Sequence, residues 1–389
     1  MAELADYAWL TGDDAAAWLA RVAQDARTEL QILDSLRRDL PTELARLVVE
    51  QVDLRRRADE KFGNLAETMF FTRMHLEQAT DIWTARYKAG RMAAYWAIAD
   101  YCCGIGGDLL AFAERGPAVG WDLSPIACLL AEANVKGRAA VHCADVAQLT
   151  LARAGAWHLD PDRRATGRRV TDLTAYAPGP ELVMKWLHAN LNGQVKLAPA
   201  TVVPESWSAD AELEWISRDR QCRQQVAWLA PLAQYAGRRR ATLVQQDHAP
   251  VSFIGDGAVA CAPAETPLQY LFDPDPSLLA ADLLGAFAVA NDLQSLGAGG
   301  AYLTCDNPFD HPLAAPFAVL DCLPLRPAAI AAYFAERGVG SLEIKKRGVA
   351  IDPESLRRRL KLRGDNAATL VLTRIGRREV AIVAQRISE

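Results

Sequence analysis

The sequence predicts an α/β protein: a doubly wound sheet, preceded by a helical region and followed by a small α+β unit. Three observations carry this. Residues 96–122, WAIADYCCGIGGDLLAFAERGPAVGWD, read as strand, glycine turn, helix, strand. Residues 1–90 place apolar side chains at three- and four-residue spacing, the period of a helix with one buried face. From about Tyr302 the pattern changes to short strands alternating with two helices.

Composition sets the frame. At 389 residues and 51% apolar, the chain suits two or three domains with a sizeable core. The net charge of −5 argues against a general polyanion binder. The charge is uneven, however. Ser341–Glu389 holds twelve Lys/Arg against six Asp/Glu, a local +6, and the remainder carries −11, so a basic C-terminal module is expected. The eight cysteines include no C-x-x-C and no paired zinc spacing. Reduced thiols in a cytoplasmic protein, with no metal, are the expectation. The N-terminus is acidic and lacks a signal-peptide apolar region. No run of eighteen apolar residues is free of charge, so no membrane span is expected.

In the helical region, DDAAAWLARVAQDA and TELARLVVEQVDLRRRADEKF show the clearest periodicity. Pro41 fits the first turn of a helix, and Arg55–Arg57 reads as a solvated helix face. MFFTRMHLEQATD, Met69–Asp81, reads as a helix with Phe70, Phe71 and Leu76 in the core. The first strand then runs from Trp96 to Ala99 and ends on Asp100. Cys102–Gly107 makes the glycine turn. Asp108 is placed to cap a helix over Leu109–Glu114, because its carboxylate can accept from free N–H groups. Gly116 stops that helix, and Ala118–Trp121 forms a strand ending on Asp122. Ser124 caps a helix over Pro125–Lys136.

Ala139–His142 is a third strand, followed by Asp145. Trp157–Asp160 is a fourth, followed by Pro161, Asp162, Arg163 and Arg164. A helix over Leu182–Leu191 leads to a fifth strand, Val195–Pro199. Glu212–Ser217 and Arg240–Val244 read as strands six and seven, with Cys222–Leu232 between them. Residues 250–304 read as loop around one helical run, Ser277–Leu296. In the C-terminal unit, strands are expected at Phe317–Leu320, Ser341–Lys345, Thr369–Arg374 and Glu379–Ala384. Helices are expected at Ala328–Arg337 and Pro353–Lys361.

A glycine turn at a helix N-terminus lets a ligand approach the backbone closely. An acid closing the next strand can hold ribose hydroxyls. Gly104, Gly106 and Gly107 do not form G-x-G-x-x-G, because position 109 is Leu, so a dinucleotide site is the poorer match. The run D-x-x-C-G-x-G-G, with Asp122 closing the next strand, resembles motifs I and II of class I S-adenosylmethionine (SAM) methyltransferases. The LEQAT run, D-P-x-R-R after the fourth strand, and the KLAP and EWIS runs resemble one bacterial family of these enzymes. GSLEIKKRGVAIDPESLRRRLKLRGDNAATLVLTRIGRREVAIVAQ resembles the THUMP-like module at the C-terminus of the same family.

The resemblance covers most of the chain. It implies a class I methyltransferase (Rossmann-like) sheet with an N-terminal helical region, 1–90, a methyltransferase domain, 91–300, and a THUMP-like domain, 301–389. SAM is then the cofactor. Thr80, Asp100, Cys102, Gly104, Gly106, Asp122, Leu123, Asp145 and Val146 would line its site, with Gln78 near Thr80. Gly104 and Gly106 would admit the methionine part, Asp122 the ribose and Asp145 the adenine amino group. Asp145 can equally cap the turn that follows it.

Asp160 and Pro161 fall where the catalytic motif IV of amino-group methyltransferases begins. Asp162 and Arg163 replace the second proline and the aromatic of that motif, which leaves the acceptor atom open. Arg163, Arg164, Arg168 and Arg169 either hold phosphates or form a solvated loop. True THUMP modules are associated with RNA, so Arg347, Arg357, Arg358, Arg359, Lys361 and Arg363 would meet RNA phosphates, or form a solvated basic helix. The function implied is methyl transfer to a base of structured RNA, with a base nitrogen as acceptor. A methyltransferase for a protein or small molecule, and a non-catalytic RNA-binding protein retaining the fold, are the alternatives.

Overall fold

The computed structural model describes residues 2–151, 154–162 and 172–387. They form two compact units. The first comprises residues 1–213, 224–237 and 244–248, and the second residues 214–223, 238–243 and 249–389.

The first unit opens with helices Leu4–Thr11, Asp13–Ala23, Glu29–Leu36 and Thr42–Phe62. Leu10, Leu19, Val22, Ile32, Leu36, Val48 and Val52 of these helices form one buried cluster. Full burial of each large aliphatic side chain there contributes roughly 1.5–3 kcal/mol. Pro41 is the cap of the longest helix rather than part of its first turn; its ψ of 145° is extended, where a helical residue would sit near −42°. Arg55 is not solvated as its cluster suggested. It is half-buried, its Nε donates to the Met69 carbonyl at 2.9 Å, and its guanidinium lies 4.9 Å from the Phe70 ring. Phe71 and Leu76 are buried as expected, with a short helix over Arg73–Gln78.

Five parallel strands follow: β1 Ile98–Tyr101, β2 Ala118–Asp122, β3 Ala140–Cys143, β4 Ala156–Leu159 and β5 Gly193–Leu197. They lie in the order β3-β2-β1-β4-β5. Strands β1, β4 and β5 are buried along their whole length, as parallel strands covered on both faces must be. The register sets Asp100 opposite His158, and His158 opposite Gln194. Strands β6 Glu212–Arg218 and β7 Gln221–Trp228 come next in the chain, and β7 pairs antiparallel with β5. Residues 221–228 are therefore a strand that the sequence reading left unassigned between strands six and seven. The polar run QCRQQ hides the pattern, and the intervening turn, Asp219–Arg220, has no glycine although both residues have positive φ.

In the second unit, β8 Arg239–Leu243 pairs antiparallel with β9 Val251–Gly255. A separate eight-stranded sheet holds β10 Pro263–Ala264, β11 Tyr270–Pro274, β12 Gln294–Leu296, β13 Leu303–Cys305, β14 Ala314–Pro324, β15 Val339–Lys346, β16 Asn366–Ile375 and β17 Arg378–Arg386. Its order is β10-β12-β13-β11-β14-β17-β16-β15. Residues 250–304 thus contribute five strands instead of loop. The expected single helix is two short ones, Pro276–Ala280 and Leu284–Ala290, separated by Asp282 at φ 56°. The C-terminal helices, Pro327–Glu336 and Pro353–Leu360, cover β15–β17 through Ile330, Phe334, Leu356 and Leu360. Among the described residues, no helix is long and apolar enough to cross a membrane.

Candidate active site

Two left-handed glycines shape the turn. Gly104 has φ 55° and Gly106 φ 84°, conformations that cost an L-residue roughly 1–2 kcal/mol. A Cβ at Gly104 would meet no atom within 4 Å, so the turn leaves an open cradle in front of its backbone. The helix that follows runs from Gly107 to Arg115 with Gly106 as its cap. Asp108 therefore lies inside the first turn and is not the cap. Its carboxylate is taken by other partners. Thr80 Oγ1 donates to Oδ2 at 2.7 Å, and Lys88 Nζ is 2.7 Å from Oδ1.

This pair is buried. Lys88 has no exposed surface, and burial pulls its pKa down against the pull of Asp108. Burial alone would raise Asp108, but Lys88 and His158 outweigh it and hold the carboxyl well below the ordinary range. Burial, reinforced by Asp108, pushes Asp100 well above that range. Burial and Lys88 keep the His158 pKa low. Asp108 is thus held toward its charged form, and Asp100 and His158 are driven toward neutrality.

Beside this base, the predicted cofactor residues converge. Asp122 accepts from the Gly104 N–H at 2.8 Å and the Ser124 N–H at 2.9 Å, which fixes its carboxylate against the glycine turn. Burial raises the Cys102 thiol pKa well above its ordinary value, and Asp122, Asp160, Asp100 and Asp162 add to it. The C-terminal ends of β1, β2 and β4 meet beside Cys102, which itself has φ 61°: the Asp160 N–H donates to the Tyr101 carbonyl at 3.1 Å and the Cys103 N–H to the Trp121 carbonyl at 3.0 Å. Leu123, next to Asp122, is 70% exposed. The end of β3 is tied in by the Ala144 N–H donating to the Asp122 carbonyl at 2.9 Å. Asp145 caps the turn Val146–Gln148, accepting from the Ala147 N–H at 3.0 Å, and Val146 is buried.

Asp160 stands just beyond β4 and accepts from Lys196 Nζ, on β5, at 2.7 Å. Pro161 is buried beside it. Arg163, Arg164, Arg168 and Arg169 lie outside the described residues. Arg357, Arg358 and Lys361 belong to the second unit. Arg357 is half-buried and donates to the Leu342 carbonyl at 2.6 Å, whereas Arg358, Arg359 and Lys361 are exposed. Arg347 is part of an ion-pair cluster around Asp273.

Sequence reasoning passed over Lys88, Asn134, His158 and Lys196. Asn134 clamps the glycine turn by donating to the Ile105 carbonyl at 2.9 Å while bonding the backbone of Phe70. The missed signal was a polar residue inside an otherwise apolar strand: His158 in AWHL and Lys196 in VKLA. Buried polar groups require partners, so such residues mark a polar network.

The residues fit an adenosine-bearing cofactor. An open backbone cradle, an oriented carboxylate for a diol and an exposed aliphatic side chain for a purine face are all present within the first unit. Comparisons with known proteins agree. Residues 314–386 match the family model described as THUMP domain-like. The chain is 33% identical over 340 residues to the uncharacterized S-adenosylmethionine-dependent methyltransferases MT3122 and Rv3037c of two Mycobacterium tuberculosis strains. The match covers 85% of this chain and 92% of each relative. The crystal structure of a Porphyromonas gingivalis W83 protein, provisionally named a methyltransferase, shares the fold. It has a TM-score of 0.78 and 17% identity, and the match covers 99% of this chain and 98% of that one. The chain therefore belongs to the bacterial SAM-dependent methyltransferases that carry a THUMP-like C-terminal domain, and it is an enzyme that uses SAM.

Proposed function

We propose that the protein methylates a nitrogen on a base of structured RNA. The observation that carries this reading is the basic face of the THUMP domain-like segment, where Arg358, Arg359 and Lys361 are exposed on and just after the helix Pro353–Leu360. Basic side chains held on one helix without intramolecular acids meet phosphates well.

In this reading Gly104, Gly106 and Cys102 form the cradle for the methionine part of SAM, with Asp100 and Thr80 behind it. Asp122 holds the ribose. Leu123, Asp145 and Val146 flank the adenine. SAM supplies an electrophilic methyl group on a sulfonium. The chain supplies alignment and a dry approach, the contributions that turn a bimolecular displacement into an oriented one. Asp160 would accept a hydrogen bond from the acceptor N–H, orient the nitrogen lone pair and take its proton, while bound SAM would supply the methyl by breaking its S–C bond and leave as the neutral thioether. Pro161 stiffens the turn that carries Asp160. Lys196 holds the Asp160 carboxylate in place. Arg163 and Arg164, which follow in the sequence, are assigned to RNA phosphates.

The test uses methyl-labelled SAM and total RNA from cells lacking the protein, with wild type beside Asp160→Ala. Label entering RNA with wild type alone supports the reading, and nucleoside digestion identifies the acceptor. Intact SAM binding with no label in any RNA sinks it.

A further inference from the structure

Within the second unit, three cations converge on one carboxylate. Asp273, on β11, is 4% exposed. Arg220 Nη2 is 2.6 Å from its Oδ2, Lys345 Nζ is 3.0 Å from the same oxygen, and Arg347 Nη2 is 2.9 Å from Oδ1. Lys345 also lies 3.3 Å from Glu343, which Arg386 shares at 3.1 Å. Among the described residues these four cations meet only those two carboxylates, so the cluster keeps a net charge of +2.

The chain goes to some length to build it. Arg220 occupies the second of two left-handed turn positions, φ 59° after Asp219 at φ 51°, a turn that ordinarily uses Asn-Gly. Arg347 is fixed from three sides. Its Nη1 donates to the Ala301 carbonyl at 3.0 Å, its Nη2 to the Pro274 carbonyl at 3.1 Å, and its guanidinium lies 5.1 Å from the centre of the buried Tyr302 ring. The donors are therefore held in position before any ligand arrives. Lys345 and Arg347 are only about a fifth exposed, so water screens their mutual repulsion poorly. Arg220, at 42% side-chain exposure, keeps the cluster open to solvent. A self-contained structural ion pair needs one cation per carboxylate. This arrangement leaves charge for a further anion: Arg347 is spent on Asp273 and two carbonyls and adds its charge, while the Arg220 donors other than Nη2 and the Lys345 ammonium can face the oxygens of a phosphate group.

We propose that Arg220, Lys345 and Arg347, arranged around Asp273, form a phosphate-binding site. On the RNA reading above, on which this second step rests, the site seats a backbone phosphate of the substrate strand. Asp273 sets the positions of the cations and limits the affinity, so that a polyanion binds reversibly.

The full-length protein is titrated with inorganic phosphate against chloride at matched ionic strength, by calorimetry and by thermal unfolding. Arg220→Gln and Lys345→Gln should each weaken phosphate binding about fivefold, the size of one partly exposed charge-assisted contact. Asp273→Asn is the discriminating variant. It should bind phosphate more tightly than wild type, and phosphate should restore its melting temperature. A purely structural cluster predicts the opposite: Asp273→Asn destabilised equally with and without phosphate. Phosphate affinity unchanged in both cation variants overturns the site. A short single-stranded RNA and an RNA hairpin form the second arm, where the cation variants should lose affinity and salt dependence together. If wild type binds neither RNA while the phosphate pattern holds, the site stands and the RNA reading is what fails.

Discussion

The Lys196 ammonium donates to the Asp160 carboxylate at 2.7 Å, joining adjacent parallel strands at the end of the sheet where ligands bind. Lys196 is nearly buried, so the bond holds Asp160 in one orientation. Asp160→Ala should reduce the methyl-transfer rate by about 10²-fold or more while leaving SAM affinity within error. Lys196→Met should reduce it by about tenfold through misplacement of the carboxylate. Single-turnover rates beside calorimetric SAM affinities check both. Equal losses of rate and SAM affinity in Asp160→Ala would remove it from the chemistry.

Asp122 and Gly104 are joined across the ends of β1 and β2. The carboxylate accepts from the Gly104 N–H, and Gly104 adopts a left-handed conformation with open space before it. Gly104→Ala should cost about 1 kcal/mol of stability from backbone strain alone. It should also weaken SAM, because the new methyl group points into the cradle. Asp122→Ala loses a charge-assisted acceptor and should weaken SAM by about tenfold or more. Calorimetry with SAM tests both, and an unchanged affinity in Asp122→Ala would exclude it from the cofactor site.

These contrasts show what the sequence made legible. The strand, turn and helix around Asp100–Asp122 were readable because glycine spacing, helical period and strand-end acids all point the same way. The β6–β7 hairpin was not, because its turn is Asp219–Arg220, held in left-handed geometry in part by the ion pair from Arg220 to Asp273. Residues 250–304 looked like loop because strands as short as β10 and β12 leave no period to detect. Asp108 looked like a cap because its main partner, Lys88, comes from a helix twenty residues earlier in the sequence. Side chains that pair across elements are invisible to local pattern, and these account for the misreadings near the site.

The shielded imidazoles of His158, buried, and His75, half-buried, predict an acid-side loss of stability. Burial lowers the pKa of both His158 and His75 from the ordinary 6.5. A folded state that resists protonation binds fewer protons than the unfolded chain below pH 6.5. Stability is then fully present above that value and falls as pH drops, by up to about 1.4 kcal/mol per pH unit for each group. Asp108 works in the same direction only at much lower pH, since its pKa is already depressed. Asp100, whose pKa burial raises, opposes this trend, so denaturant midpoints between pH 7 and 5 should fall more steeply in wild type than in His158→Gln. Identical slopes in the two proteins would mean that His158 carries no linked proton.

The helix Pro353–Leu360 offers a separation of roles along one run of arginines. Arg357 is turned inward and donates to the Leu342 carbonyl, tying the helix to β15. Arg358 and Arg359 are exposed. Arg357→Ala should lower stability by about 1 kcal/mol, the net worth of a partly buried hydrogen bond, with RNA affinity changed only as far as the helix loosens. Arg358→Ser/Arg359→Ser should leave stability and SAM affinity unchanged, weaken RNA binding, and lower the salt slope by about 0.7–0.9 for each phosphate contact removed. Melting temperatures and RNA titrations across a salt series separate the two. If the double variant binds RNA with the wild-type affinity and slope, this helix does not touch the phosphates, and the basic face must be sought among other residues of the second unit.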